Sequence, residues 1–113
     1  MIYQVLQAYV RPQLSARVVQ ALIDAGCTDL FFTETRRVVS GVGTPNVEYS
    51  VLAGQKVEAM VRIEVAGTET QLTHWTQVIK SAGSTQRHGD GTATIWGVLD
   101  HFHLSVGPEG AGT

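Results

Sequence analysis

The apolar residues of this chain switch between a spacing of two and a spacing of three to four in a fixed order, and that order limits the folds open to it. Residues 2–10, IYQVLQAYV, alternate as a strand does and run into Pro12. From Leu14 to Ala25 the positions Leu14, Val18, Ala21, Leu22 and Ala25 fall on one helical face, with Gly26 placed to end the helix. Strand character returns over 28–39, TDLFFTETRRVV, with Leu30, Phe32 and Val38 on one side. Residues 57–66, VEAMVRIEVA, form a third alternating run. Thr68 and Gln71 then make a capping-box signal for a second helix with an apolar stripe of Leu72, Trp75, Ile79 and Ala82. A fourth strand, TATIWGVL, follows a polar turn, and HFHLSV over 101–106 alternates as a short fifth.

Between the second and third strands lies SGVGTPNVEYSVLAGQK, residues 40–56, which holds three glycines and Pro45 and has no helical periodicity. Connections of that length within a small domain are functional or disordered, so a flexible loop is expected there, with a frayed tail over 108–113. The order β-α-β, long loop, β-α-β predicts one α+β domain over 1–113, a ferredoxin-like double βαβ sandwich with both helices on one face of the sheet. The other face needs a cover, and the simplest cover is another copy of the chain.

Bulk properties narrow the function. With 113 residues the chain makes one domain, and a net charge of −2 with eight Lys and Arg offers little for phosphate backbones, so nucleic acid is not an expected partner. The single cysteine, Cys27, rules out an internal disulfide and reads as a small buried apolar residue in a reducing compartment. The opening residues lack the basic and apolar regions of a signal peptide, and no run approaches a membrane span of ~20 apolar residues, so a cytoplasmic protein without membrane insertion is expected. Trp75 and Trp96 read as core aromatics. No serine, cysteine or carboxylate pair sits in a recognisable catalytic arrangement, so no enzymatic activity is expected.

The strongest local signal is Arg87-His88-Gly89-Asp90-Gly91. Its glycines suit either a plain β-turn or a concavity of backbone N–H groups fit for a phosphate. Arg36 and Arg37, beside the glycine-containing loop with Ser40 and Gly41, are either cations for a small anion or a solvated strand end. His101 and His103 share one side of an extended segment, as metal ligands would, or as surface or nucleotide-contacting imidazoles.

The segments AYVRP, VRIEV and GDG, together with the long loop, resemble PII signalling proteins along nearly the whole chain. That resemblance implies a homotrimer binding an adenine nucleotide between subunits through a B-loop, a mobile T-loop and a C-terminal C-loop. The B-loop would be residues 85–91: Thr85, Gly89, Asp90 and Gly91 match the family pattern Thr-Gly-Lys-x-Gly-Asp-Gly-Lys, Arg87 replaces a lysine, and His88 lies within it. Glu64 matches an acidic residue near the adenine, and Leu30, Phe31 and Val39 are implied as further contacts.

The departures from the pattern bear on the ligand. Thr92 stands where the family has a second lysine, His103 and Ser105 where it has two arginines, and Arg37 and Val39 where it has glycines. Each missing charge-assisted phosphate contact removes ~1.5–3 kcal/mol, which favours ADP or AMP over ATP. The uridylylated tyrosine of some family members corresponds to Ala53. The departures resemble the divergent PII-like group associated with transporters or carbon fixation. They imply a regulated partner of that kind and bicarbonate as a second ligand near Arg36 and Arg37, with no catalytic cofactor. The alternative is a trimeric metal-tolerance protein of the CutA type, supported by His101 and His103. An acylphosphatase-like enzyme on the same fold lacks its glycine-rich cradle, since Arg11 precedes Pro12 directly.

Overall fold

The computed structural model describes residues 2–39, 47–85 and 91–105. The elements run β1 (Tyr3–Val10), α1 (Pro12–Asp24), β2 (Leu30–Val38), β3 (Val47–Ser50), β4 (Gln55–Thr68), α2 (Glu69–Gly83) and β5 (Gly91–Gly97). The strands form one antiparallel sheet in the order β2-β4-β1-β5, with β3 also paired to β4. This is the expected ferredoxin-like α+β arrangement.

Each helix starts where the sequence dictates. Pro12 occupies the first turn of α1, where its missing N–H is no loss, and Val18 and Leu22 are buried from its apolar face. The Thr68 hydroxyl accepts from the Gln71 backbone N–H at 3.3 Å, while the Gln71 side chain accepts from the Thr68 N–H at 2.9 Å. This reciprocal pair satisfies two donors that the first turn of α2 would otherwise leave without partners.

Both helices pack on the same face of the sheet. The core joins Leu6, Ala8 and Val10 of β1 with Val61, Ile63 and Val65 of β4, beneath Val18, Leu22, Leu72, Trp75 and Ile79. Cys27 is buried at its edge, as expected. Because side chains alternate along a strand, Tyr3, Val5, Gln7 and Tyr9 occupy the opposite face. In register beside them lie Arg62, Glu64 and Ala66 of β4 and Thr92, Thr94 and Trp96 of β5. No described element covers that face.

Three local expectations change. Within the 40–56 connection, β3 and the first residues of β4 form a hairpin around residues 51–54, because Val47 through Ser50 find ladder partners from Glu58 down to Gln55. Residues 101–105 form no strand, since alternation alone supplies no neighbouring edge to pair with. Trp96 is exposed on β5 and lies outside the core, because β5 is an edge strand and Trp96 projects from the uncovered face.

Candidate functional site

Of the expected nucleotide-binding residues, Gly91 and Thr92 lie where β1 ends and β5 begins. Gly91 opens β5 with φ +146°, and a Cβ placed on it would lie 1.9 Å from the Tyr9 carbonyl oxygen. Glycine is needed here for both reasons: the backbone conformation is one that side chains disfavour, and β1 passes too close. Thr92 follows, paired in register with Tyr9.

Thr92 and Tyr9 stand between two open cavities. One, of about 250 Å³, lies on the uncovered face and is lined by Tyr9, Thr35, Arg36, Arg37, Met60 and Thr92. The other, of about 280 Å³, lies between the end of α2 and the start of β5, with Lys80, Ser84, Gly91 and Thr92 among its lining residues. Each falls below the roughly 300–1,000 Å³ of a typical enclosed small-molecule site. The first cavity gathers the Tyr9, Thr35 and Thr92 hydroxyls and the Arg37 guanidinium on one face, with Arg36 also in its lining; no carboxylate lines it, although Arg37 is paired with Glu58. That donor set suits an anionic or polyhydroxylated ligand.

The expected site residues divide by position. Glu64 is half-buried on the uncovered face, opposite Phe31 in register, and accepts a long 3.4 Å contact from the Gln7 amide. Phe31 is exposed beside it, so both share the face of the Tyr9–Thr92 corner. Leu30 points the other way and packs against the helix-side core. Val39 is half-buried just past β2, its N–H donating to the Lys56 carbonyl at 2.9 Å. Thr85 is exposed after α2. Arg87, His88, Gly89, Asp90, Ser40 and Gly41 lie outside the described residues.

His103 is not brought to this corner, and Ser105 is exposed two residues further on. His101 stacks on Tyr3, and the His103 ring meets the His101 ring edge-on at 5.6 Å. Tyr3 is six residues before Tyr9 on one strand, which sets the two places about 20 Å apart.

The two arginines considered for a small anion both hold carboxylates. The Arg36 Nε donates to Glu48 at 2.8 Å, and Arg37 makes a short ion pair with Glu58, whose side chain is almost wholly buried. Consecutive strand residues face opposite sides, so the two guanidiniums start from opposite faces of β2. Tyr9, Thr35 and Met60 were not singled out from the sequence. Tyr9 enters through the pairing of β1 with β5, and Thr35 and Met60 through the register of β2 on β4.

The helix placement, strand order and long connection define a ferredoxin-like fold of the PII type. The particular likeness is to the structure of B. subtilis GlnK, with a TM-score of 0.71 over 97% of this chain and 99% of that chain at 19% identity. The sequence matches no protein-family model and no curated protein. Among the described residues no helix is long and apolar enough to cross a membrane.

Proposed function

We propose that this chain is a PII-like regulatory protein without catalytic activity. In this reading it binds ADP or AMP at the Tyr9–Thr92 corner, between subunits of a homotrimer, and controls a partner protein through the segment that contains β3. The observation that carries it is the fold likeness to GlnK over 97% of the chain, joined to the hydroxyl and guanidinium groups beside the start of β5.

The geometry supports a site shared between copies. The corner cavity is small for a nucleotide, and His101 and His103 of the same chain are held by Tyr3, about 20 Å along β1 from it. A neighbouring copy, packed on the uncovered sheet face, supplies the missing wall and brings its own His103 toward Thr92. Loss of the family's cations at Thr92, His103 and Ser105 disfavours the triphosphate.

Any bicarbonate bound at Arg36 or Arg37 competes with Glu48 or Glu58 for the guanidinium. The metal-tolerance alternative gains no support: among the described residues no three metal-ligating side chains come together, and His101 is stacked on Tyr3.

Light scattering gives the assembly, and calorimetric titration with ADP, AMP and ATP, with and without bicarbonate, tests the ligand. A trimer that binds ADP or AMP more tightly than ATP is expected, and Arg87→Ala and Asp90→Ala each weaken binding while the assembly persists. No binding of any adenine nucleotide overturns the reading.

A further inference from the structure

β3 is weakly attached. It has four residues, none of them buried, and among the described residues it pairs only with β4, as the outer strand where β2, β4 and β3 lie side by side. Among the described residues, a single side-chain hydrogen bond joins it to any other strand, the one from Arg36 of β2 to Glu48. The bond takes an unusual path. Val57 and Glu58 of β4 pair with β2 on one edge and with β3 on the other, so Arg36 reaches across the whole width of β4 to hold Glu48.

The neighbouring pair behaves differently. Arg37 and Glu58 face each other directly across β2 and β4 on the opposite side of the sheet, and Glu58 is only 3% exposed. Separating two charges in so dry a place is costly, so this pair stays closed. The side chains of Arg36 and Glu48 are 62% and 57% exposed, in water and open to screening. Arg36 engages Glu48 through Nε, and among the described residues the forked end of its guanidinium makes no hydrogen bond of its own.

We propose that Arg36–Glu48 is a releasable ionic latch that sets whether β3 lies on the sheet, with Arg37–Glu58 as the fixed pivot beside it. The hairpin carries Val51 and Leu52 at its tip, 89% and 99% exposed, so the latch decides how rigidly that apolar tip is presented. Its regulatory meaning rests on the partner-controlling role proposed above. The latch itself requires no nucleotide, and it is tested without one.

The test is amide hydrogen exchange of the nucleotide-free protein, read over residues 47–50 and 55–56. Glu48→Gln and Arg36→Gln should each speed exchange there about two- to fivefold, the range an exposed ion pair supports. The double variant should go no further, and the charge-swapped Arg36→Glu/Glu48→Arg protein should regain protection. Raising sodium chloride should speed exchange in the unaltered protein and leave Glu48→Gln unchanged. Exchange at 61–65, in the core strand, reports that each variant is folded. Wild-type protection in Glu48→Gln, or no recovery in the folded charge swap, overturns the latch. Neither result bears on whether ADP binds, which calorimetry measures separately.

Discussion

The imidazole of His101 lies flat against the phenol ring of Tyr3, with centroids 3.8 Å apart and planes 13° from parallel. Just before it, the Val98 N–H donates to the Tyr3 carbonyl at 3.0 Å, so one residue of β1 holds the following segment by both backbone and ring. Leu99, Phe102 and Leu104 of that segment are exposed and add no internal packing. His101→Ala should therefore leave the thermal midpoint almost unchanged while speeding proteolysis within 98–105. His101→Phe, which keeps a stacking ring, should restore resistance. Equal cleavage rates for the alanine variant and the unaltered protein would show that the stack does not hold the segment.

Gly91 combines a positive φ with the closest backbone approach found at any described glycine, its would-be Cβ meeting the Tyr9 oxygen. Gly91→Ala must push β5 away from β1 at the end of the ladder that also forms the candidate site. A loss of about 2 kcal/mol or more is expected from strain at such a position, measured by chemical denaturation. Gly97→Ala ends the same strand with open space around its would-be Cβ and is the matched control, with a much smaller effect.

Burial pushes the Cys27 thiol above its ordinary value, with the Asp29 backbone hydrogen bond acting in the opposite direction and the Asp29 charge adding to the rise. The protonated thiol is the form the fold prefers. Its contribution to stability is complete below the unfolded-state value of about 8.5 and is lost as pH rises from there through the higher folded value, since the native state binds more protons in that window. Cys27→Ala, a variant without the titrating group, should flatten the decline of stability above about pH 8.5. The native thiol should also react with a disulfide reagent far more slowly than the unfolded chain's. Equal reactivity in the two states would contradict the burial.

Much of this architecture is legible because it is local. Leu14, Val18, Ala21 and Leu22 announce α1 by spacing, and Thr68 with Gln71 fixes the start of α2 to the residue. The long connection hid β3, since Val47-Glu48-Tyr49-Ser50 buries nothing and becomes a strand only through its partner on β4. HFHLSV misled for the converse reason: it has the pattern of a strand, but residues 101–105 have no edge to join. The partners of Arg36 and Arg37 lie 12 and 21 residues away, and they depend on a register that residue types alone do not set. The candidate site follows the same division. Gly91 and Thr92 could be marked from a turn motif, whereas Thr35 and Met60 join them only once β2 is laid on β4.

Thr92 offers the most direct test of ligand charge. It lines both cavities at the corner, sits on an exposed edge strand, and stands where the resemblance to PII proteins calls for a lysine. A lysine there adds a cation beside Arg37 without entering the core, so it should act on the ligand more than on the fold. An added ammonium gains more from a more highly charged phosphate chain, and the gain is screened where the site is open to water. Thr92→Lys is therefore expected to raise ATP affinity about tenfold relative to AMP, equivalent to ~1.4 kcal/mol, with the preference shrinking as salt is raised. Thr92→Gln, similar in length but uncharged, separates charge from bulk. If the lysine strengthens AMP and ATP equally, or if glutamine matches it, the phosphates do not lie at this corner, and the preference for a less charged nucleotide must come from elsewhere in the assembly.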